Sequence, residues 1–386
     1  MIAPMAFRPG SRDARLSTFR VVLCVALCGL GAVRSAVVHA QSVLVGADER
    51  ASVIERVLAT LREFYVSDAI ARKMEIDIRA HLDAGDYNSL ASPEQFVRVL
   101  TRDLQTSSGD KHLVVESSHH SSDANALSRS AEPSRLRNGS ERDTCRFVNV
   151  ATLAGNVGYI KFDAFQPPDR CADTAAAAMS LVADSDALLL DLRDNAGGDV
   201  FMVAFMSSYF FSQPVHLSDF YERRTNMTVE SWTLPFVPGR RFLDKPIFIL
   251  TSSRTFSAAE EFAFNLQSLK RAIVVGERSG GGSHPTRSLR IGADFEIAVP
   301  VARYVNPTSR TDWEGIGVTP DLHAGENVTV QTAYRAALEQ LISRTTSAEQ
   351  REVRQRQIET LTSAIDAQRR AECGQCEHAE ARRRHD

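Results

Sequence analysis

The 386-residue sequence has no basic run in its core, no internal repeat and no G-x-S-x-G turn. Each absence removes a class of protein. Without a basic run, nucleic acid is not expected as a partner. Without the serine elbow, and with no lysine at S-x-x-K spacing after the one informative serine, esterase and β-lactamase chemistry find no support. The apolar run near the N-terminus, Val21–Val33, is too short to span a bilayer comfortably, so no lasting membrane anchor is expected. Cysteines are also few, six in all.

The N-terminus itself reads as an export signal. Arg8, Arg12, Arg15 and Arg20 precede the apolar run, and Val38-His39-Ala40 matches a small-residue cleavage site. Cutting after Ala40 removes five arginines and one aspartate and moves the formal charge from −3 to −7. The exported chain is then acidic, and a periplasmic or extracellular location is expected.

Four cysteines remain, Cys145, Cys171, Cys373 and Cys376, and an oxidising compartment makes them disulfide candidates. Cys145 and Cys171 flank a predicted strand. Cys373 and Cys376 have C-x-x-C spacing in a charged tail, where a local disulfide or free thiols are expected. Zinc there would need two more ligands, and only His378 and His385 are near, so no metal and no cofactor are expected.

Along the chain the pattern changes twice. Val53, Ile54, Val57, Leu58 and Leu61 recur at helical spacing, followed by Ile76, Ile78 and Leu82, then Phe96, Val97, Leu100 and Leu104. Residues 117–143 are polar and read as an exposed linker. From Val157, short apolar strands alternate with helical stretches, which is an α/β pattern with a partly parallel sheet. Ser288–Arg303 reads as a hairpin with Gly292 near its turn. The domain reading is a signal peptide over 1–40, a helical domain over 41–110 and an active-site segment with linker over 111–145. A catalytic domain over 146–330 and a charged C-terminal helix and tail over 331–386, peripheral from Ser347, complete it.

The most informative stretch is Lys245–Gly282. An apolar strand, Pro246–Leu250, runs through a polar turn into a helix opened by Ser257, and Ala272–Gly276 reads as the next strand. A serine on the first turn of such a helix lies near free backbone N–H groups and the positive end of the helix dipole. That suits a nucleophile. Ser257-Ala258-Ala259-Glu260 equally fits an S-x-x-E capping box.

Thr255–Glu261 resembles the nucleophile segment of the carboxyl-terminal-processing (tail-specific) serine protease family. The closer likeness is to the branch containing the repeats of interphotoreceptor retinoid-binding protein. Further segments resemble the family in order: Tyr65–Tyr87, Ser108–Val115, Leu188–Asp199, Val274–Pro285 and Asp312–Asp321. The resemblance implies an α/β fold with a crotonase-like ββα catalytic core and a small N-terminal helical domain. It also implies a serine peptidase acting on a peptide or protein substrate.

In the best-known bacterial members a lysine serves the serine. Gly282 stands at that position here, and Arg278 is too basic to replace it. The tricorn protease core instead implies a Ser–His–Glu arrangement. On that resemblance Ser257 is the expected nucleophile, His112 the general base and Glu314 its orienter. The expected oxyanion donors are the N–H groups of Gly198 and Ala258, with Gly197, Gly281 and His284 lining the substrate site. His284 and His323 are rivals for the base. His119 and His120 fall in the linker, and Lys111 is expected to point to solvent.

The competing function is a binding protein for a small hydrophobic ligand on the same fold, for which Phe256, Tyr304 and Trp313 would suit a cleft. The presence of Ser257, His112 and Glu314 together favours the peptidase. No PDZ-like insert is visible between residues 113 and 150, so specificity for chain ends is not expected.

Overall fold

Val53, Ile54, Val57, Leu58 and Leu61 line the buried face of the first helix, α1 (Ala47–Phe64). This computed structural model describes residues 44–117 and 144–383, so the signal-peptide and linker readings, with His119 and His120, lie outside the described residues. A second helix, α2 (Asp68–Ala84), starts where Ser67 accepts the Ile70 N–H and stops at left-handed Gly85. The third, α3 (Pro93–Ser108), has a Ser92 cap, Pro93 in its first turn and left-handed Gly109 at its end. That last turn aims Asp110–His112 at the rest of the molecule.

The chain continues as β1 (Val114–Ser117), β2 (Phe147–Leu153), β3 (Val157–Phe162), α4 (Pro168–Val182), β4 (Ala187–Asp191) and α5 (Val200–Ser207). Then come β5 (His216–Glu222), β6 (Met227–Trp232), β7 (Ile247–Thr251), α6 (Ala258–Ser268) and β8 (Ile273–Gly276). The last elements are β9 (Thr286–Arg290), β10 (Phe295–Pro300), β11 (Ala302–Val305), β12 (Leu322–His323), α7 (Thr329–Ile342) and α8 (Ala348–Arg383).

The central sheet has six strands in the order β12-β8-β7-β4-β3-β2. Its pairs are parallel except β2 with β3. Side chains alternate across it. Leu188 and Leu190 of β4 join α4, α5 and α6 in one core, while Ala187 and Leu189 face α7 and α8 in another. Two three-stranded sheets, β1-β10-β9 and β11-β5-β6, flank it. The β9–β10 hairpin is packed into the core of α1–α3 through Ile291, Phe295, Ile297 and Val299. The helical segment thus completes its core with residues nearly 200 positions later in the chain.

This corrects the expected crotonase-like ββα core. The central sheet is instead a single mixed one: β2–β3 is its one antiparallel pair among the described strands, and each later strand arrives by a crossover and pairs in parallel. The architecture is a mixed sheet with helices on both faces. The tail is also not peripheral throughout. Leu361 and Ile365 of α8 are buried against α7, and buried Arg354 pairs with Asp186. A disulfide joins Cys145 to Cys171, while the side chains of Cys373 and Cys376 lie outside the described part of α8.

Candidate active site

Ser257 opens α6 with φ 55° and ψ −124°, a left-handed backbone that a non-glycine residue adopts only at some cost. The turn from β7 explains how it is held. Thr255 Oγ1 donates to Leu192 O at 2.7 Å, and Phe256 N–H to Asn195 O at 3.1 Å. The Ser257 N–H donates to Glu260 Oε2 at 2.8 Å, the carboxylate half of the capping box.

Opposite lies the turn after β4. Buried Asn195 anchors it: its Nδ2 donates to Phe162 O at 2.9 Å and its Oδ1 accepts the Gly197 N–H at 2.9 Å. Gly197 sits at φ 103°, and a Cβ there would be 2.7 Å from Ser257 Cβ. Gly198 sits at φ 139°, and a Cβ would be 2.1 Å from Phe165 O. Only glycine permits this approach. Asp199 N–H goes to Phe165 O at 2.7 Å, whereas the Gly198 N–H has no hydrogen bond among the described residues. Ala258 N–H, in the first turn of α6, has no intrahelical acceptor. Ala258 follows Ser257 in the chain, and a Cβ on Gly197, next to Gly198, would stand 2.7 Å from Ser257 Cβ and 2.9 Å from Ala258 N.

Glu260 organises the third segment. It is fully buried and also accepts the Ser279 hydroxyl at 2.5 Å and the N–H groups of Gly281 and Gly282 at 2.7 and 2.8 Å. Burial raises its pKa, and these donors oppose the rise. The Gly281 N–H is therefore used internally. Trp313 Nε1 donates to Gly282 O at 2.8 Å, and Lys111 Nζ to Gly280 O at 2.6 Å. Lys111 thus engages the loop after β8.

His112 packs its ring on Phe256 with centroids 4.5 Å apart. Both ring nitrogens are buried without a hydrogen-bond partner. Desolvation lowers its pKa to about 4, which leaves the imidazole neutral at neutral pH. A Cβ on Gly282 would lie 2.3 Å from Phe256 Cζ and 2.6 Å from His112 Cε1. The space a side chain at 282 would need is filled by those two rings.

Glu314 takes a different place from the one expected. Its Oε2 accepts the Ser283 N–H at 2.5 Å and lies 3.7 Å from His284 Nδ1, and its Oε1 is buried without a partner. His284 Nδ1 is 2.7 Å from Asp110 Oδ2. Desolvation and the Asp110 charge push Glu314 up to about 7. Burial opposes ionisation of both Asp110 and His284, but their mutual contact wins: the Asp110 pKa is held down and the His284 pKa raised. His323 lies exposed on β12. Tyr304 and Trp313 are core residues, 1% and 2% exposed, and do not line an open cleft.

Sequence reasoning missed Asn195, Glu260 and Asp110 as organisers. Asn195 had a turn signal in Asp194–Gly198, and Glu260 a capping signal. Asp110 had none, because its partner His284 is 174 residues away.

Two family models match this chain. "Peptidase family S41" matches residues 156–324, and "N-terminal domain of Peptidase_S41 in eukaryotic IRBP" matches residues 33–145. Among curated proteins, carboxyl-terminal-processing peptidase 2, chloroplastic, of Arabidopsis thaliana is 26% identical over 185 residues, 46% of this chain and 33% of that protein. The carboxyl-terminal-processing protease of Synechocystis is 29% identical over 167 residues, 43% of this chain and 37% of that protein. The matched part of the chain spans between a third and two fifths of these relatives. A solved structure of a putative peptidase from Parabacteroides merdae superposes with a TM-score of 0.53 at 18% identity, covering 78% of this chain and 98% of that one, and shares its fold.

The expected Ser257–His112–Glu314 triad is corrected on two grounds. Peptidases of the matched family use a serine–lysine dyad. The geometry also leaves the three side chains unassembled: the His112 nitrogens bond neither Ser257 nor Glu314, and Glu314 sits with Ser283 and His284.

Proposed function

We propose that this chain, which belongs to peptidase family S41, is an exported serine-type peptidase that hydrolyses peptide bonds with Ser257 as nucleophile. The observation that carries the reading is the strained Ser257 at the start of α6, faced by the Gly197–Gly198 turn. The Ser257 hydroxyl attacks the substrate carbonyl carbon, and the Gly198 and Ala258 N–H groups receive the developing oxyanion. The peptide nitrogen leaves with a proton, and water then releases the acyl group from Ser257. Gly282 supplies no amine, so the proton that Ser257 loses reaches the leaving peptide nitrogen without a lysine to carry it.

The substrate is a peptide or protein, and the stretch 117–143 is too short to hold a PDZ-like insert, which argues against selection of chain ends. Export rests on the N-terminal reading of residues 1–40, and the division into a helical segment, a catalytic domain and a charged tail rests on the changes of pattern along the chain. No helix among the described residues is long and apolar enough to cross a membrane. The test is hydrolysis of an unstructured protein such as casein, with cleavage read by mass spectrometry. The wild type should cleave, and Ser257→Ala should lose at least about 1000-fold in rate. Equal cleavage by both would end the proposal.

A further inference from the structure

Asp110, His284 and Glu314 come from three separate segments: the turn after α3, the loop after β8 and the loop before β12. One donor atom of each lies within 4.8 Å of the others, with Nδ1–Oδ2 at 2.7 Å and Nδ1–Oε2 at 3.7 Å. Two ligand atoms on a tetrahedral zinc ion stand about 3.3 Å apart, given bonds of about 2.0 Å. The cluster therefore needs only small side-chain shifts to take such an ion.

The surroundings favour one. Glu314 Oε1 is buried without a hydrogen-bond partner. Ser283 is 6% exposed, and its hydroxyl faces the Glu314 carboxyl yet makes no well-formed hydrogen bond. Two carboxylates share this site, and their repulsion and desolvation are what a divalent cation relieves. The outer partners are in place as well. Tyr65 Oη donates to Asp110 Oδ2 at 3.1 Å, and the His112 N–H to Asp110 Oδ1 at 3.0 Å. The Ser283 N–H fixes Glu314. Ligands held from behind in this way are a mark of metal sites.

We propose that Asp110, His284 and Glu314 form a zinc-binding site that ties the segment after α3 to the loops around Ser257. An imidazole with two carboxylates suits zinc better than calcium or magnesium, which take all-oxygen sets of six or more. Three protein ligands leave a fourth position for water. On binding, the proton shared by His284 Nδ1 and Asp110 Oδ2 leaves to solvent. The ion fixes Ser283 and so the neighbouring Gly281–Gly282 that Glu260 holds beside Ser257, which makes occupancy a control on that loop. The proposal stands apart from the peptidase reading, since zinc binding is read without turnover.

The test is calorimetry and thermal melting of the untagged full chain, stripped with a chelator and titrated with zinc chloride. One ion per chain should bind and raise the melting temperature. His284→Ala and Glu314→Gln should weaken binding at least about 100-fold, and Tyr65→Phe about tenfold by freeing Asp110. Cys373→Ser/Cys376→Ser should bind as the wild type does. Loss of binding in the double cysteine variant with retention in His284→Ala would place the ion in the tail and overturn the proposal. So would the absence of any binding, which would leave the cluster a hydrogen-bonded network only.

Discussion

Position 282 carries the sharpest consequence at the scale of single residues. Replacing Gly282 with lysine restores a residue type without restoring a dyad, because its first side-chain atom meets Phe256 Cζ at 2.3 Å and His112 Cε1 at 2.6 Å. Gly282→Lys should lose about 2–3 kcal/mol of stability in urea unfolding and should not react faster with serine-directed reagents. Faster reaction would mean that the two rings yield and the slot is a lysine site after all. Glu261 gives a second residue-level prediction. It is buried in α6, accepts from Ser218 Oγ at 3.2 Å, and burial pushes its pKa to about 8. Its folded pKa exceeds the ordinary carboxylate value, so the folded state holds the proton longer than the unfolded chain. The stability this group contributes is full below about pH 4.5 and is lost as pH rises to about 8. Glu261→Gln removes that dependence. Its stability should match the wild type near pH 4.5 and exceed it by a few kcal/mol at pH 8, read by urea unfolding at both. A constant difference would contradict the buried-carboxyl account.

At the scale of elements, the site is three turns held together: the one after β4, the one before α6 and the loop after β8. Asn195 joins the first two, through its carbonyl to Phe256 N–H and its side chain to Gly197 N–H. Asn195→Ala leaves the Gly197 N–H and the Phe162 carbonyl unpaired in the interior. It should lower stability by about 2–3 kcal/mol and slow peptide hydrolysis about 100-fold through kcat, because the Gly198 donor moves. A KM effect with kcat intact would assign this turn to binding rather than to transition-state stabilisation. The elements themselves were legible where local pattern decides them. The strand Ile247–Thr251 lies one residue from its expected bounds, and Ser257 caps the helix it is expected to open. The organisers were not legible. Glu260 reads as a helix cap, and only the fold shows its carboxylate also holding Ser279, Gly281 and Gly282.

At the scale of the whole molecule, the lesson concerns order and distance. Short apolar strands separated by helices announce a sheet, but their sequence is the same for any strand order, so the mixed sheet β12-β8-β7-β4-β3-β2 could not be read from them. For the same reason the β9–β10 hairpin was legible as a hairpin, but not as part of the core of α1–α3. The expected triad failed similarly. Ser257, His112 and Glu314 have suitable chemistry in a suitable order, but pairing is set by packing, which gives Glu314 to Ser283 and His284 and seals His112 against Phe256. What survives at every scale is the serine at the start of α6. The most direct measurement of that claim is the intact mass of the protein after treatment with a fluorophosphonate. The account predicts one adduct per folded chain, mapped to Ser257 and absent from Ser257→Ala. No adduct on folded wild type, or an adduct that persists in Ser257→Ala, would contradict it.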